Sequence, residues 1–304
     1  MKITLVVMAA GLGSRYGGSK QVDGIGPHHE ILMEYSIYDA LRAGFGKVVL
    51  VIKPGMREMM EGICGRYLSG RSALDGSPVE VDYVYQDFSS IPSFYSVPEG
   101  RTKPFGTVHA FLCAESAVRE PCCVINADDF YGFDAYRAMA RELRRLPEAG
   151  QATMVGYLLK NTASLHGTVA RGICVQRNGF LERVQETAKI QLYPDGTLRD
   201  LETDRPLDPN AVVSMNFWGF MPSAFPVLRR DFEDFLRRAG DDPRAECLLP
   251  DAVDRLLRSG ALRVSVLSSA GQWFGMTYHQ DRETVAQDLR RLHESGEYPA
   301  SLRG

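Results

Sequence analysis

No stretch of this sequence approaches the roughly 18 consecutive apolar residues that a membrane-spanning helix needs, so no membrane partner is expected. An excess of charge of one sign is also missing. Lysine and arginine total 35 against 38 acids, a formal net charge of −3, which gives no bulk electrostatic case for nucleic acid. The six cysteines (Cys64, Cys113, Cys122, Cys123, Cys174 and Cys247) include no C-x-x-C pair. They read as reduced thiols serving as packing in a cytosolic protein. Cys122 and Cys123 are adjacent in an apolar run, "CCVIN", where strand alternation sends them to opposite faces, so they are given no metal role. Lys2 followed by "ITLVVMAA" imitates a secretory signal, but a run of about eight residues is at the bottom of the range for one. Its β-branched content reads instead as a strand, and a soluble, cytoplasmic protein is expected. Repeats, low-complexity tracts and clean linkers are absent too. At 304 residues, 44% apolar and 24% charged, the chain reads as one elaborated domain with a substantial core.

What is present is alternation. A strand at 3–9 leads into a glycine-rich loop and a helix at about 31–43 with Ile31, Leu32, Tyr35, Ile37, Tyr38 and Leu41 near one face. "KVVLVI" (47–52) reads as a buried parallel strand, followed by a helix at about 55–68 and a strand at 79–85. Residues 86–105 look irregular, with Pro92, Pro98, Gly100 and Pro104, and a loop that long is often functional. A helix near 106–118, the strand "CCVIN" and a helix at 133–146 complete the first half. Strands alternating with helices predict an α/β protein with crossover helices on a parallel sheet. The second half is richer in strand (152–159, 170–176, 180–186, 190–193, 211–220 and 262–267). Its helices are expected at 224–238, 250–258 and 281–294.

The stretch "VVMAAGLGSRYGGSK" (6–20) is the densest motif. It is not the dinucleotide pattern G-x-G-x-x-G, because Tyr16 stands where the third glycine belongs. It is not a P-loop either, since Ser19 separates Gly18 from Lys20 and Gln21 follows. A glycine loop after a parallel strand lies at the carboxyl edge of the sheet, where open α/β proteins bind ligands. There its backbone N–H groups can converge on an anion, with Arg15 and Lys20 adding a bidentate fork and a point charge. The stretch reads as a polyphosphate grip.

"AAGLGSRYGGSKQ" with "PHHEILMEYSIYDALRAG" resembles the opening of the sugar-phosphate nucleotidyltransferases, whose G-x-G-[ST]-R loop is followed by a lysine and an "hPLhxYxI"-like segment. It also resembles cytidylyltransferases acting on small polyol phosphates. The resemblance implies a Rossmann-like three-layer α/β/α sandwich of the nucleotide-diphospho-sugar transferase type with a mostly parallel mixed sheet. Residues 1–150 would form the nucleotide-binding half and 151–304 a strand-rich acceptor-binding half. It also implies nucleotide contacts from Ala10, Gly11, Gly13 and Ser14, with Arg15 and Lys20 as catalytic cations.

Further segments extend it in order. "KPFGTVHA" (103–110) resembles the family's "LGTAHA", suggesting Gly106 and Thr107 at the nucleobase, with Gln86 as a base-edge reader; Thr107 as a plain helix cap is the alternative. "VINADDFYG" (124–132) resembles "hhxGDxh", making Asp128 the Mg²⁺ ligand and Asp129 a contact to substrate or to the ligand's surroundings. "FLERVQETAKI" (180–190) resembles the segment "hxEKP": Glu186 fits the sugar-contacting glutamate, but Thr187 stands where a phosphate-binding lysine is expected. Lys189, two residues on, is the candidate replacement. "HGTVARG" (166–172) suggests Gly167, and "SMNFWGF" (214–220) suggests Asn216, as further acceptor contacts, Asn216 being otherwise a buried amide. The family's "WxDxGT" aspartate is replaced by Gly275 in "QWFGMTYHQD", leaving Asp281 or His279 as conceivable second ligands.

The resemblance therefore implies a Mg²⁺-dependent nucleotidyltransferase that joins a nucleoside triphosphate, UTP for preference, to a sugar 1-phosphate with release of pyrophosphate. Cytidylyl transfer to an alditol or choline phosphate, glycosyl transfer and a non-catalytic nucleotide-sugar-binding module are the rivals. A homo-oligomer is left open.

Overall fold

A computed structural model describes residues 1–12, 24–68 (Arg66 by its backbone alone), 70–147, 149–269, 271–275, 278 and 280–303. Four parallel strands form its centre: β1 (Thr4–Met8), β2 (Lys47–Ile52), β3 (Glu80–Tyr85) and β4 (Cys122–Asn126). β1 and β2 are apolar along almost their whole length because a strand covered on both faces has no solvent side to which polar residues could alternate. β5 (Asp129–Phe130) follows β4 directly. The second half adds β6 (Gln151–Leu158), β7 (Val169–Arg177), β8 (Phe180–Leu192), β9 (Leu198–Asp200), β10 (Arg205–Leu207), β11 (Val212–Phe220), β12 (Arg263–Ser268) and β13 (Phe274–Gly275).

Strands from both halves join one sheet in the order β10-β9-β8-β12-β6-β11-β4-β1-β2-β3, with β7 pairing β11 and β8. Parallel pairing is confined to β1–β4 and to β12 on β6, while β11 runs antiparallel to β4 and β6 and the β7–β10 ladder is antiparallel throughout. The sheet is mixed, as expected, but it is not mostly parallel: among the described residues antiparallel pairings outnumber parallel ones. Short turns at 177–180 and 193–197 let successive strands of the second half double back, which parallel strands cannot do without a crossover.

Alternate residues of the central strands enter two apolar clusters. Leu5, Val7, Val48, Leu50, Cys123 and Ile125 pack with α1 (Leu32–Arg42), α3 (Phe133–Leu143) and α6 (Asp281–Glu294). Val6, Val49, Val51, Cys122 and Val124 pack with α2 (Gly106–Cys113), α4 (Ala224–Ala239) and α5 (Leu249–Arg258). Cys122 and Cys123 do part to opposite faces, and all six cysteines are free thiols. No helix among the described residues is long and apolar enough to cross a membrane.

The long irregular segment 86–105 is fastened from beneath. Arg101, buried, donates to the carbonyls of Lys103, Pro104, Asp242 and Ala245 and lies 3.6 Å from the Phe105 ring centroid, tying this loop to the turn before α5. One guanidinium serving several carbonyls satisfies backbone that has no ladder to join.

The segment after α6 packs back against α1. It lays Tyr298 against Asp39, hydroxyl to carboxylate at 2.6 Å. It also sets Arg303 against Glu34 with both bonds at 2.8 Å. Arg71 donates to the Leu302 carbonyl, and Tyr35 and His293 share a 2.8 Å hydrogen bond. The Glu34 side chain is fully buried while that of Arg303 is 43% exposed. Removing the arginine alone therefore strands a buried carboxylate, whereas removing both charges does not. Arg303→Ala is expected to lower unfolding free energy by about 2–3 kcal/mol, and Arg303→Ala with Glu34→Gln to recover part of that loss, as read from urea unfolding.

Candidate active site

The parallel register decides what meets at the carboxyl edge of the sheet. Met8 pairs with Val51 on one side and Asn126 on the other, so Ala9, Ala10 and Gly11 leave β1 level with the residues that follow β4, Ala127 and Asp128. Ala9 N still bonds Val51 O at 2.8 Å, holding the loop down as it starts. On the far side Ile52 pairs with Tyr85, and Gln86 comes next, its N–H donating to Ile52 O at 2.8 Å. Ala10 and Gly11, Gln86, and Asp128 are therefore brought to one edge by backbone pairing alone. Gly13, Ser14, Arg15 and Lys20 lie outside the described residues.

Gln86 is buried, and its Nε2 donates to Gly106 O at 3.0 Å. Gly106 opens α2 with φ +85°, and a Cβ there would lie 2.7 Å from the Cys247 carbonyl oxygen, so both conformation and space require glycine. Thr107 Oγ1 accepts from Leu249 N at 2.8 Å. Its hydroxyl caps α5 across the cleft rather than its own helix, a role the sequence does not disclose. Pro250, next on α5, packs against Gly172 of β7, which pairs with Glu186 of β8. The start of α5 thus links Thr107 to Glu186.

Glu186 is partly buried, and this desolvation raises its pKa from the ordinary carboxylate range to about 7; the Asp251 carboxylate on α5 adds to the rise and Arg171 opposes it. Burial raises Asp251 as well, with Arg255 opposing. Lys189 is not beside Glu186. Its Nζ lies 3.5 Å from Glu202 Oε1, on a side chain 60% exposed. β8 gains one residue over β7 between Thr187 and Ile190, and this bulge breaks the two-residue alternation on which the expectation for Lys189 rested. A different cation stands close by: Arg171 pairs directly across the ladder from Thr187. It is buried, donates to the carbonyls of Thr162 and Ala170, and lies 5.1 Å from the Trp273 ring centroid. Nothing in the sequence marks it except its place in "HGTVARG", because only the register reveals what faces Thr187.

The acids after β4 sit in two environments. Asp128 is half-buried at the strand-end turn. Asp129 is buried, its Oδ2 accepting from Asn126 Nδ2 at 2.8 Å and lying 3.2 Å from the Tyr131 hydroxyl. Asn216 approaches from β11, whose register shifts between Ser214 and Trp218; it adopts φ +57° and its Nδ2 lies 3.4 Å from Asn126 Oδ1. A non-glycine residue in the left-handed region at a bulge is costly backbone, and such residues gather at functional sites. Gly167 is packed under Tyr278, where a Cβ would lie 2.5 Å from the ring.

Gly275 pairs with Asp129 in a two-stranded ribbon of β13 and β5. A Cβ at 275 would fall 2.3 Å from the Trp273 ring and 3.0 Å from Asp129 Oδ1. The volume an acid would need is already filled, so 275 supplies no ligand. Asp281 accepts from Ser164 Oγ at 2.9 Å and Tyr278 N at 3.0 Å, a helix-capping arrangement at the start of α6; His279 lies outside the described residues. No three His, Cys, Asp or Glu side chains among the described residues form a metal cage. The carboxylate of Asp128 at the strand end is a hard oxygen donor of the kind Mg²⁺ takes one or two of, completing its shell with water and substrate phosphate.

Ser90 and His109 resemble a nucleophile and base but are wired the other way. Phe105 N donates to His109 Nδ1 at 3.2 Å, so the ring proton is on Nε2, which donates to Ser90 Oγ at 2.8 Å. Burial also lowers the imidazole pKa to about 4. A cavity of about 410 Å³ between β3 and the helical segment Arg57–Met60 to Leu68 is lined by none of the expected site residues.

No protein-family model matches the chain, and no curated protein matches it in sequence. Solved structures do match. The inositol-1-phosphate CTP transferase from T. maritima superposes with a TM-score of 0.64 at 14% identity, covering 97% of each chain. A putative glucose-1-phosphate thymidylyltransferase from Bacillus anthracis, solved with a sucrose, gives 0.62 at 13% identity, covering 99% of this chain and 98% of that one. A UDP-glucose pyrophosphorylase complexed with UDP-glucose gives 0.58 at 14%, covering 96% and 99%. The chain has the α/β fold of these nucleotidyltransferases along nearly its whole length.

Two outcomes follow from the site. A carboxyl group whose pKa is raised on folding binds more protons in the native state, so its contribution to stability falls as pH rises from the unfolded value toward about 7. Glu186→Gln should therefore flatten the decline of Tm between pH 5 and 8 relative to the parent, checked by thermal melts across that range. Gly275→Asp should lower stability by about 1–3 kcal/mol through overpacking against Trp273, measured by denaturant unfolding, and should not tighten Mn²⁺ binding.

Proposed function

We propose that the protein is a Mg²⁺-dependent nucleotidyltransferase that joins UTP and a sugar 1-phosphate to give a nucleotide sugar and pyrophosphate. The observation that carries this reading is the convergence, at the carboxyl edge of one sheet, of Gly11, Gln86 with Gly106, Asp128 and the Asn216 bulge. Full-length likeness to three nucleotidyltransferase structures supports it. The two apolar clusters on alternate faces of the central strands support the three-layer arrangement.

The acceptor phosphate is largely ionised at neutral pH and needs no general base, so catalysis rests on positioning and charge stabilisation. Ala10, Gly11, Gly13 and Ser14 would surround the triphosphate. Arg15 and Lys20 would hold its β- and γ-phosphates and neutralise the leaving pyrophosphate. Gln86 and Gly106 would read the base edge, with Thr107 fixing the wall behind them through α5. Asp128 would hold Mg²⁺, which supplies charge neutralisation to the phosphate oxygens when bound. On the acceptor side Gly167, Glu186 and Asn216 would shape the sugar pocket. Arg171 would supply the positive charge that the resemblance expects at Thr187. The Glu186 carboxyl, with a pKa of about 7, can both donate and accept to sugar hydroxyls near neutral pH.

A second reading, cytidylyl transfer to a polyol phosphate, is favoured by the likeness to the inositol-1-phosphate CTP transferase. One experiment separates them: pyrophosphate release with Mg²⁺ across UTP, dTTP, CTP, ATP and GTP against sugar 1-phosphates, alditol phosphates and inositol 1-phosphate. Release confined to UTP with one sugar 1-phosphate, and reduced at least 100-fold in Asp128→Ala, is expected. A requirement for CTP with a polyol phosphate would establish the second reading. No release with any pair would reject both.

A further inference from the structure

We infer that Asp129 is a positioning residue that fixes, through Asn126, which way the Asn216 carboxamide faces. The argument rests on the proposed reading of Asn216 as an acceptor contact and on the chemistry of three consecutive groups. Asn126 Nδ2 donates to Asp129 Oδ2 at 2.8 Å, the oxygen accepting. The Asn126 Oδ1 is then turned to Asn216 and accepts from its Nδ2 at 3.4 Å. The Asn216 Oδ1 consequently faces the other way, 3.4 Å from the indole N–H of Trp218, a donor that could not satisfy an NH₂ group. The carboxylate at one end and the indole N–H at the other thus hold two amides in series to one polarity.

The geometry around this relay is built to keep it. Asn126 is the last residue of β4, and its own N–H donates to the Tyr131 hydroxyl at 3.1 Å. The single Tyr131 proton lies between Asp129 Oδ2 at 3.2 Å and Met215 O at 2.9 Å, so the tyrosine joins the β4 end to the residue before Asn216. Ser36 on α1 donates to the Asp129 carbonyl at 3.2 Å. Asn216 Nδ2 carries two hydrogens and spends one on Asn126. The other would serve a hydroxyl or phosphate oxygen of the acceptor. If the amide were reversed, that position would present a carbonyl and repel the same oxygen.

The test exchanges the charge along the relay. In Asp129→Asn the neutral amide offers either end to Asn126, and the polarity is held from the Trp218 end alone. In Asn126→Asp with Asp129→Asn the carboxylate sits at 126, accepting from both neighbours, and Asn216 must again turn its Nδ2 inward. The single variant is expected to raise KM for the acceptor phosphate about tenfold, the worth of one hydrogen bond, with KM for the triphosphate unmoved. The double variant is expected to return it toward the parent. A double variant as impaired as the single would overturn the relay, since a carboxylate required at 129 itself, as substrate contact or metal ligand, is not restored by moving it. A single variant with parental KM would overturn it too.

A readout independent of turnover keeps the relay separable from the proposed reaction. In protein labelled with [¹⁵N]asparagine, the Asn216 side-chain NH₂ signals, assigned with Asn216→Ala, should move in Asp129→Asn, and their hydrogen exchange should be slowed back toward the parental rate in the double variant. That pattern without turnover on any substrate pair would uphold the relay and reject the reaction. Signals unmoved in Asp129→Asn would reject the relay, whatever the activity.

Discussion

The in-register parallel pairing of β1 with β2 and β4 is the constraint on which the rest depends. Parallel strands return through helices, so their carboxyl ends all stop on the same side, and every backbone group beyond the last ladder bond must find another partner. That is why the chain there is rich in glycine, amide and acid. Gly106 accepts close approach by Cys247, Gln86 meets the Gly106 carbonyl, and Asn126 begins a chain of polar contacts that crosses to β11. The cleft chemistry is a consequence of where the sheet ends.

Packing then decides which polar groups are available. Trp273 occupies the room beside Gly275, and the same indole lies against Arg171, which is pinned by the Thr162 carbonyl. One aromatic ring thus removes a position for an acid and braces a buried cation opposite Thr187. Of the two departures from the resembled motifs, Gly275 borders this ring and Thr187 is linked to it through its cross-strand partner Arg171.

Strand and helix content was legible because the apolar runs are long: "KVVLVI" and "CCVIN" could only be buried, and the β-strands at 47–52 and 122–126 follow. The segments expected at 180–186 and 190–193 proved to be a single strand with a bulge, because Thr187 to Lys189 carry no turn residue to break it. β5, β9, β10 and β13 are two or three residues long, too short for any periodicity to register. Ala10, Gly11, Gln86, Gly106 and Asp128 could be placed together from sequence because each lies within three residues of a strand end or opens a helix. Lys189, Arg171 and the Thr107 bond to α5 could not, since each depends on a pairing register or on contact between distant segments.

The packing of the segment after α6 against α1 bears on synthesis. Glu34 and Asp39 are completed by Arg303 and Tyr298, residues separated from them by 269 and 259 positions. At translation rates of about 5–20 residues per second, the helix that follows the glycine loop waits on the order of 10–50 s for these partners. During that interval β1–β4 can already pair, but a carboxylate destined for the interior faces water. The nascent first half is therefore a sheet with one unfinished wall.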